Sequence, residues 1–225
     1  MLIYYPMAKE NLIIIDVLIF DLDGTLVDSK KDIATAVNFA LDALGFKQKD
    51  PEEIFSYIGT GVKGLIRKCI GNQNESGIDK AAGIFESYFS KHSVDKSLLY
   101  PHVKEILEYF RKKAMFILTN RSKAMSAQTL RMLGIDKYFK EIIGADDEYC
   151  VKPSACPINK IFIGSKKDRA KAMIVGDMDL DVLSGKEAGI MTCAVTYGIG
   201  DRISIEKAKP DFIIDDIIEL KDIIR

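Results

Sequence analysis

Three short runs of apolar residues are each followed at once by polar residues. The runs are Val17–Phe20, Ala114–Leu118 and Ala172–Val175. A run that is apolar at every position is typical of a strand buried on both faces of a parallel sheet. After Pro101, such runs alternate with segments of helical spacing, as βαβ units require. The pattern therefore predicts an α/β fold built on a parallel sheet.

A segment of different character lies between the first two runs, over about residues 28–98. Its first apolar stripe recurs at helical spacing from Ile33 to Leu44, and three further helical stripes follow. Ser29 is predicted to be the N-cap of the first helix, with Asp32 three residues on in a position like that of a capping box. We therefore expect a group of helices to be inserted after the first strand.

Two carboxylates and a glycine follow the first apolar run without a spacer. Asp21 and Asp23 lie two residues apart, and Gly24 allows a tight turn. Ligands of open parallel sheets bind beyond the carboxyl ends of the strands. Paired carboxylates there suit a hard cation such as magnesium, or a nucleophile with an acid/base partner. A plain Asp-Gly turn at the end of a strand is the alternative.

The next strand ends and one loop carry matching chemistry. Thr119–Asn120 follows the second run, Lys152 stands in a later loop, and Asp177 and Asp181 follow the third run. A hydroxyl and an ammonium group can both bind a phosphate, and Asp177 can add a carboxylate to a metal site. Each has an alternative when taken alone: a turn hydroxyl, a solvated lysine, or acids at the start of a helix. Their joint occurrence at strand ends favours one functional site.

These motifs resemble the haloacid dehalogenase superfamily of phosphatases. Three longer stretches, residues 20–29, 118–139 and 175–198, are similar to its phosphoglycolate phosphatase branch. The resemblance covers the chain from about Val17 onward. It implies a Rossmann-like parallel sheet with helices on both faces, formed by residues 1–27 and 99–225. It also implies a small helical cap domain formed by residues 28–98.

The resemblance implies a role for each motif residue. Asp21 would attack phosphorus and form an aspartyl-phosphate, and Asp23 would act as general acid and then as general base. The implied ligands of a Mg²⁺ ion are the Asp21 carboxylate, the Asp23 backbone carbonyl and the Asp177 carboxylate. Asp179 is a weaker candidate than Asp181 for the supporting acid. The residues expected to bind the phosphoryl oxygens or to support that binding are Thr119, Asn120 through its backbone N–H, Lys152 and Asp181.

Substrate selection is expected to depend on the inserted helices. The glycine-rich turn at residues 59–64 leads into a helix and carries Lys63, with Arg67 one turn further on. The backbone N–H groups of this turn and Lys63 are predicted to meet a carboxylate or hydroxyl of the substrate. A connector with solvated cations is the alternative.

Composition limits the other classes of function. The chain has 225 residues, of which 48% are hydrophobic and 29% charged, and its net charge is −1, which gives no reason to expect nucleic-acid binding. The apolar stretch Leu12–Ile15 is too short to cross a bilayer, so no membrane partner is expected. The four cysteines form no Cys-x-x-Cys pair, which predicts reduced thiols and a cytoplasmic protein.

The predicted function is that of a magnesium-dependent phosphatase acting on a small phosphorylated metabolite. A phosphoglycolate-like compound and a sugar phosphate are both open as substrates, and the protein is expected to be a monomer or a homodimer. The alternatives are a phosphomutase of the same superfamily and a non-catalytic module that accepts a phosphoryl group. A dehalogenase is disfavoured because Asp23 supplies the acid/base group that a phosphatase needs.

Overall fold

The structure is a computed structural model that describes residues 12–71, 75–146, 149–164 and 168–225. Residues 1–11, which precede the apolar stretch Leu12–Ile15, lie outside the described residues. Two sheets are present among them, one of six strands and one of two. The strands, numbered along the chain, are β1 (Val17–Phe20), β2 (Val27–Asp28), β3 (Leu98–Leu99), β4 (Ala114–Leu118), β5 (Glu141–Ile143), β6 (Ala172–Gly176), β7 (Met191–Val195) and β8 (Phe212–Ile214).

The six-stranded sheet is parallel throughout. Its order is β5-β4-β1-β6-β7-β8, so β1 lies between β4 and β6. The three apolar runs are these three central strands, which confirms the predicted α/β class. Because the strands are parallel and adjacent, the polar residues that follow them meet at one edge of the sheet.

Helices connect the strands and cover the sheet. They are α1 (Lys30–Ala43), α2 (Pro51–Phe55), α3 (Gly61–Ile70), α4 (Glu75–His92), α5 (Val103–Tyr109), α6 (Lys123–Met132), α7 (Cys156–Phe162), α8 (Asp179–Ala188) and α9 (Arg202–Ala208). Short 3-10 helices lie at Asp136–Tyr138, Arg169–Lys171 and Ile217–Asp222.

Strand β1 is buried on both faces, as its unbroken apolar sequence predicts. Leu18 and Phe20 pack into the cluster that includes α5 and the C-terminal segment. Val17 and Ile19 point to the opposite face and pack into the cluster that includes α7. All four side chains are inaccessible to solvent. This alternation explains why the strand has no polar face.

Helices α1 to α4, residues 30–92, form a helical insert with an apolar core of its own. Ile33, Val37 and Leu41 of α1 pack there with residues of α3 and α4 such as Ile66 and Phe85. The two ends of the insert meet where β2 and β3 pair in antiparallel fashion. The division into residues 1–27 with 99–225 and a cap of residues 28–98 stays a prediction.

Ser29 is the N-cap residue of α1, as predicted, but the capping box with Asp32 is not formed. The Ser29 side chain makes no capping bond, and its hydroxyl donates to Asp23 Oδ1 instead. Asp32 is buried and accepts hydrogen bonds from the backbone N–H groups of Lys96 and Ser97 and from the Ser97 hydroxyl. Both side chains are thus used by long-range contacts, which the local motif does not reveal.

Candidate active site

The loop after β1 places Asp21 and Asp23 at the carboxyl edge of the sheet. Gly24 follows with φ +89°, a left-handed conformation that favours glycine. A Cβ atom at this position would lie 2.1 Å from Asp177 Oδ2. The glycine therefore allows the β1 loop to approach the β6 loop closely enough to bring their carboxylates together.

Three buried carboxylates and one buried lysine form the centre of the site. One oxygen from each of Asp21, Asp177 and Asp181 lies within 4.8 Å of the others. Lys152 Nζ lies 2.8 Å from Asp21 Oδ1 and 2.6 Å from Asp181 Oδ1. The structure thus brings the predicted residues of three separate motifs into one cluster.

Burial and charge shift the ionisation of this cluster. Burial raises the pKa of Asp21 well above its ordinary value; the Lys152 ammonium opposes this, and the carboxylates of Asp181 and Asp177 add to it. Burial alone would lower the pKa of Lys152, but the neighbouring Asp181 and Asp21 carboxylates more than offset that and hold its pKa above the usual range. Lys152 therefore stays cationic, while the cluster carries more negative charge than one lysine can neutralise.

Asp177 is held rigidly by the loops around it. Its Oδ1 accepts a hydrogen bond of 2.8 Å from the Thr25 hydroxyl, and its Oδ2 accepts bonds of 2.8 and 3.1 Å from the N–H groups of Ile199 and Gly200. Burial, together with the charge of Asp181, raises the pKa of Asp177 to about 6 despite these donors. The carboxylate is oriented before any ligand arrives.

Thr119 and Asn120 follow β4 and face the same cluster. Thr119 is buried and lines the cavity together with Asp21 and Lys152, and its Oγ1 accepts a hydrogen bond of 3.2 Å from the Arg121 backbone N–H. The Asn120 amide donates to the carbonyls of Gly59 and Lys152 at 2.9 and 3.1 Å and accepts from the Lys152 N–H at 2.9 Å. The Asn120 side chain therefore connects the loop that contains Lys152 to the helical insert. Sequence reasoning missed this role.

Asp23 lines the cavity but is not one of the three carboxylates of the central cluster. Its Oδ1 accepts hydrogen bonds from the Ser29 hydroxyl and from Arg121 Nη2. Arg121 is buried, donates to Thr129 Oγ1 at 3.1 Å and lies 4.6 Å from the centre of the Phe89 ring. Sequence reasoning missed Arg121, although its position directly after Thr119–Asn120 was a signal.

The cavity lies between the strand ends and the helical insert. The residues that the insert contributes to its wall, within the described part of the chain, are Ile33, Ile58, Gly59, Gly61, Val62, Leu65 and Phe85. The wall is therefore apolar on this side, apart from backbone groups of the glycine turn. The glycine-rich turn contributes Gly59 and Gly61 to this wall, and its predicted contact with the substrate stays a prediction.

The predicted substrate contact Lys63 does not face this cavity. Its ammonium lies 2.8 Å from Asp79 Oδ1 on the exposed side of the insert. Arg67 likewise pairs with Glu75 at 2.9 Å, and neither cation is among the residues that line the cavity. The helical spacing that turns Val62 and Leu65 inward turns Lys63 outward.

The expectation of four reduced thiols is wrong for two of them. Cys150 and Cys156 form a disulfide with an S–S distance of 2.02 Å, on either side of Lys152 in the chain. Cys69 and Cys193 are buried free thiols. Six residues separate Cys150 from Cys156, and the chain turns back between them. The chain spacing alone does not show this turn.

The residues that could hold a metal ion are the three carboxylates of the central cluster. Asp21, Asp177 and Asp181 supply oxygen ligands, which hard divalent cations prefer. Their shared negative charge, only partly balanced by Lys152, fits such an ion. Asp181 was predicted as a supporting residue, and here its carboxylate contacts Lys152. The predicted contribution of Asp23 through its backbone carbonyl stays a prediction.

Comparison with known proteins agrees with this geometry. A model of the haloacid dehalogenase-like hydrolase family matches residues 18–195. A phosphoglycolate phosphatase from Vibrio parahaemolyticus is 31% identical over 93% of this chain and 96% of its own. One from Aquifex aeolicus is 32% identical over 92% and 96%. The crystal structure of a predicted phosphoglycolate phosphatase from Haemophilus somnus superposes with a TM-score of 0.86 at 28% identity, covering 92% of this chain and 96% of that one.

The chain belongs to the haloacid dehalogenase-like hydrolase family. Within that family it is a phosphatase and is similar to the phosphoglycolate phosphatases. Among the described residues, the helices are too short or too polar to cross a lipid bilayer.

Proposed function

We propose that the protein is a Mg²⁺-dependent phosphatase that hydrolyses a small phosphate monoester through an aspartyl-phosphate on Asp21. The observation that carries this proposal is the cluster around Lys152. Its ammonium lies 2.8 Å from Asp21, at the strand end where Thr119 also lines the cavity. A nucleophile and two groups that bind phosphoryl oxygens thus meet at one point.

The proposed reaction has two halves, the formation of the aspartyl-phosphate and its hydrolysis. Asp21 attacks phosphorus as the ester bond breaks, and Asp23 gives its proton to the departing alkoxide. In the second half Asp23 takes a proton from water, whose oxygen attacks the aspartyl-phosphate and releases inorganic phosphate with Asp21 restored. Lys152, Thr119 and the Asn120 backbone N–H would bind the phosphoryl oxygens throughout. Asp23 suits its role because it stands outside the three-carboxylate cluster.

The proposed Mg²⁺ would be held by Asp21 and Asp177, with the Asp23 carbonyl, while Asp181 supports Lys152. When bound, the ion would neutralise charge on the phosphoryl group and on its carboxylate neighbours. The donor set supports this, because three buried carboxylates face one lysine. Without a cation this arrangement is unfavourable, as the raised pKa values of Asp21 and Asp177 indicate.

The helical insert would act as a cap over the site. Its Gly59 carbonyl accepts a hydrogen bond of 2.9 Å from the Asn120 side chain, which also binds the Lys152 loop. The cavity beneath it has a volume of about 50 Å³, enough for a few water molecules. The small volume and the apolar wall support a small phosphate monoester as substrate. The predicted cytoplasmic location and the monomeric or homodimeric state stay predictions.

The test compares the release of inorganic phosphate from 2-phosphoglycolate with its release from glucose 6-phosphate, which represents the sugar phosphates. We expect activity with Mg²⁺ and none after exhaustive chelation. Asp21→Asn should lose activity by several orders of magnitude, because an amide cannot attack phosphorus. Asp179→Asn is the matched control, since Asp179 is a nearby aspartate outside the cluster and should retain activity.

Three results would contradict this function. Phosphate release by Asp21→Asn at the wild-type rate would exclude the nucleophile. A stable aspartyl-phosphate without turnover would indicate a module that only accepts a phosphoryl group. An isomerised phosphate ester as the product would indicate a phosphomutase.

A further inference from the structure

Arg121 is a buried cation at the point where the leaving group must depart. Of the described residues that line the cavity, two are cationic, Arg121 and Lys152. Lys152 forms ion pairs with two carboxylates of the central cluster, those of Asp21 and Asp181. Arg121 contacts Asp23 alone among the acidic residues, through Nη2. Its guanidinium is therefore the cationic group nearest to the proposed acid/base.

Arg121 has donors beyond its two side-chain contacts. A guanidinium carries five N–H groups. One on Nη2 donates to Asp23 and one on Nη1 donates to Thr129. Each of these nitrogens carries a second N–H, and Arg121 is only 6% exposed and lines the cavity, so a second anion inside the cavity can bind to it.

The position of that anion follows from the contacts of Asp23. As general acid, Asp23 must come within hydrogen-bond distance of the ester oxygen of the substrate. Arg121 contacts the same carboxylate and so lies on the leaving-group side of the phosphorus. In a carboxymethyl ester, one methylene separates the ester oxygen from the carboxyl carbon. A carboxylate at that position reaches the guanidinium, which presents its donors in a plane suited to binding both oxygens.

The surroundings hold the guanidinium in place for this contact. Its Nη1 donates to Thr129 Oγ1 at 3.1 Å, and its plane lies over the Phe89 ring at 4.6 Å. The opposite wall of the cavity, contributed by the helical insert, is apolar, and Lys63 and Arg67 pair with acids outside it. Within the described residues, Arg121 is thus the group suited to bind a second anionic group.

We infer that Arg121 is a specificity-determining residue that binds the carboxylate of the substrate beside Asp23. The enzyme would thereby select phosphate esters with a carboxylate one methylene from the ester oxygen, as in 2-phosphoglycolate. This inference rests on the proposed phosphatase function. It also gives the cavity a second anion site, distinct from that around Lys152.

The first experiment uses the unaltered enzyme with Mg²⁺ and three substrates. These are 2-phosphoglycolate, its carboxyl methyl ester, which lacks the charge and adds one methyl group, and ethyl phosphate, which lacks both the charge and the added bulk. We expect kcat/KM to be about ten- to a hundred-fold higher for the acid than for the ester or ethyl phosphate, the usual effect of one charge-assisted contact. Equal values for acid and ester would overturn the inference while leaving the phosphatase function intact.

The second experiment compares Arg121→Met and Arg121→Lys with the wild type. Loss of the contact with Asp23 should lower kcat on all three substrates, whereas loss of the carboxylate contact should raise KM for the acid alone. We therefore expect the preference for the acid to disappear in Arg121→Met and to survive in part in Arg121→Lys, which keeps a charge but not the planar donors.

The control is Arg169→Met. Arg169 also lies over a phenylalanine ring, that of Phe162 at 4.8 Å, but is not among the residues that line the cavity. It should keep both the rate and the preference of the wild type. An equal fall of kcat/KM on all substrates in both Arg121 variants would show that Arg121 only positions Asp23. Failure of every enzyme form to hydrolyse any substrate would instead contradict the proposed function.

Discussion

The contacts of Asp23 suit the two opposite tasks proposed for it. It lies two residues after Asp21 and lines the cavity, but its carboxylate is not part of the three-carboxylate cluster. Its Oδ1 accepts from the Ser29 hydroxyl and from Arg121, so the carboxylate is oriented from two sides. A carboxylate outside that cluster can gain and lose a proton without changing the charge of the cluster.

Replacing Asp23 by asparagine should separate the two halves of the reaction. An ester with a good leaving group, such as p-nitrophenyl phosphate, needs little protonation, so we expect Asp23→Asn to form the aspartyl-phosphate with a burst of p-nitrophenol. Turnover after the burst should be slower by about 10²- to 10⁴-fold, because no general base activates water. Rapid-mixing kinetics would measure both phases. Hydrolysis of ethyl phosphate at the wild-type rate would exclude Asp23 as the acid/base.

At the scale of elements, the Asn120 side chain connects three parts of the fold. It follows β4 and donates to the Gly59 carbonyl of the helical insert. It also donates to the Lys152 carbonyl and accepts from the Lys152 backbone N–H. Asn38 makes a similar two-way contact with the backbone of Lys49, at 2.9 Å for each bond, but away from the cavity. The two asparagines thus perform the same structural task at two places, of which one faces the proposed active site.

This pair allows loop positioning to be separated from stability. Asn120→Ala and Asn38→Ala should each lower the free energy of unfolding by about 1–3 kcal/mol, because backbone groups lose their partners. Only Asn120→Ala should lower kcat/KM, by about ten- to a hundred-fold, since a small displacement of Lys152 is enough for such a loss. Urea unfolding and steady-state kinetics would measure the two effects. Equal catalytic loss in both variants would contradict a specific role for Asn120.

At the scale of the whole molecule, the buried carboxylates of the active site lower the free energy of unfolding of the protein when no metal is bound. The pKa of Asp177 is 3.8 in its ordinary state and about 6 in the folded protein, mainly because of burial and then because of Asp181. The unfolded chain therefore binds fewer protons than the folded protein between about pH 4 and 6. In that window the free energy of unfolding falls as pH rises, by about 3 kcal/mol in total for this group. Asp21 shifts in the same direction.

The pH dependence of stability is the corresponding prediction. In the presence of a chelator, we expect Tm to fall between pH 4 and 6 and Mg²⁺ to raise Tm more at pH 7 than at pH 5. Asp177→Asn should weaken the fall, raise the Tm of the metal-free protein at pH 7 and abolish activity. Its amide oxygen can accept from Ile199 and Gly200 while its N–H donates to Thr25, so the fold keeps these contacts. An unchanged pH slope in this variant would contradict the assignment.

Much of the fold could be predicted from the sequence because it depends on local patterns. An unbroken apolar run such as Val17–Phe20 is compatible with a strand buried on both faces, and helical spacing marks α1 with equal clarity. Parallel strands end at one edge, so the polar residues that follow β1, β4 and β6 had to lie near one another. The proximity of Asp21, Thr119 and Asp177 could therefore be predicted from the sequence.

The partners of individual side chains were decided by the tertiary structure alone. Ser29 binds Asp23 instead of capping α1, and Lys63 faces Asp79 instead of the cavity. Arg121 reaches Asp23 across 98 residues of sequence. Such contacts depend on how helices and loops turn relative to one another, and neighbouring residues in the chain do not encode that orientation. The sequence thus determined which residues gather at the strand ends, and only their packing in three dimensions decided which of them face the substrate.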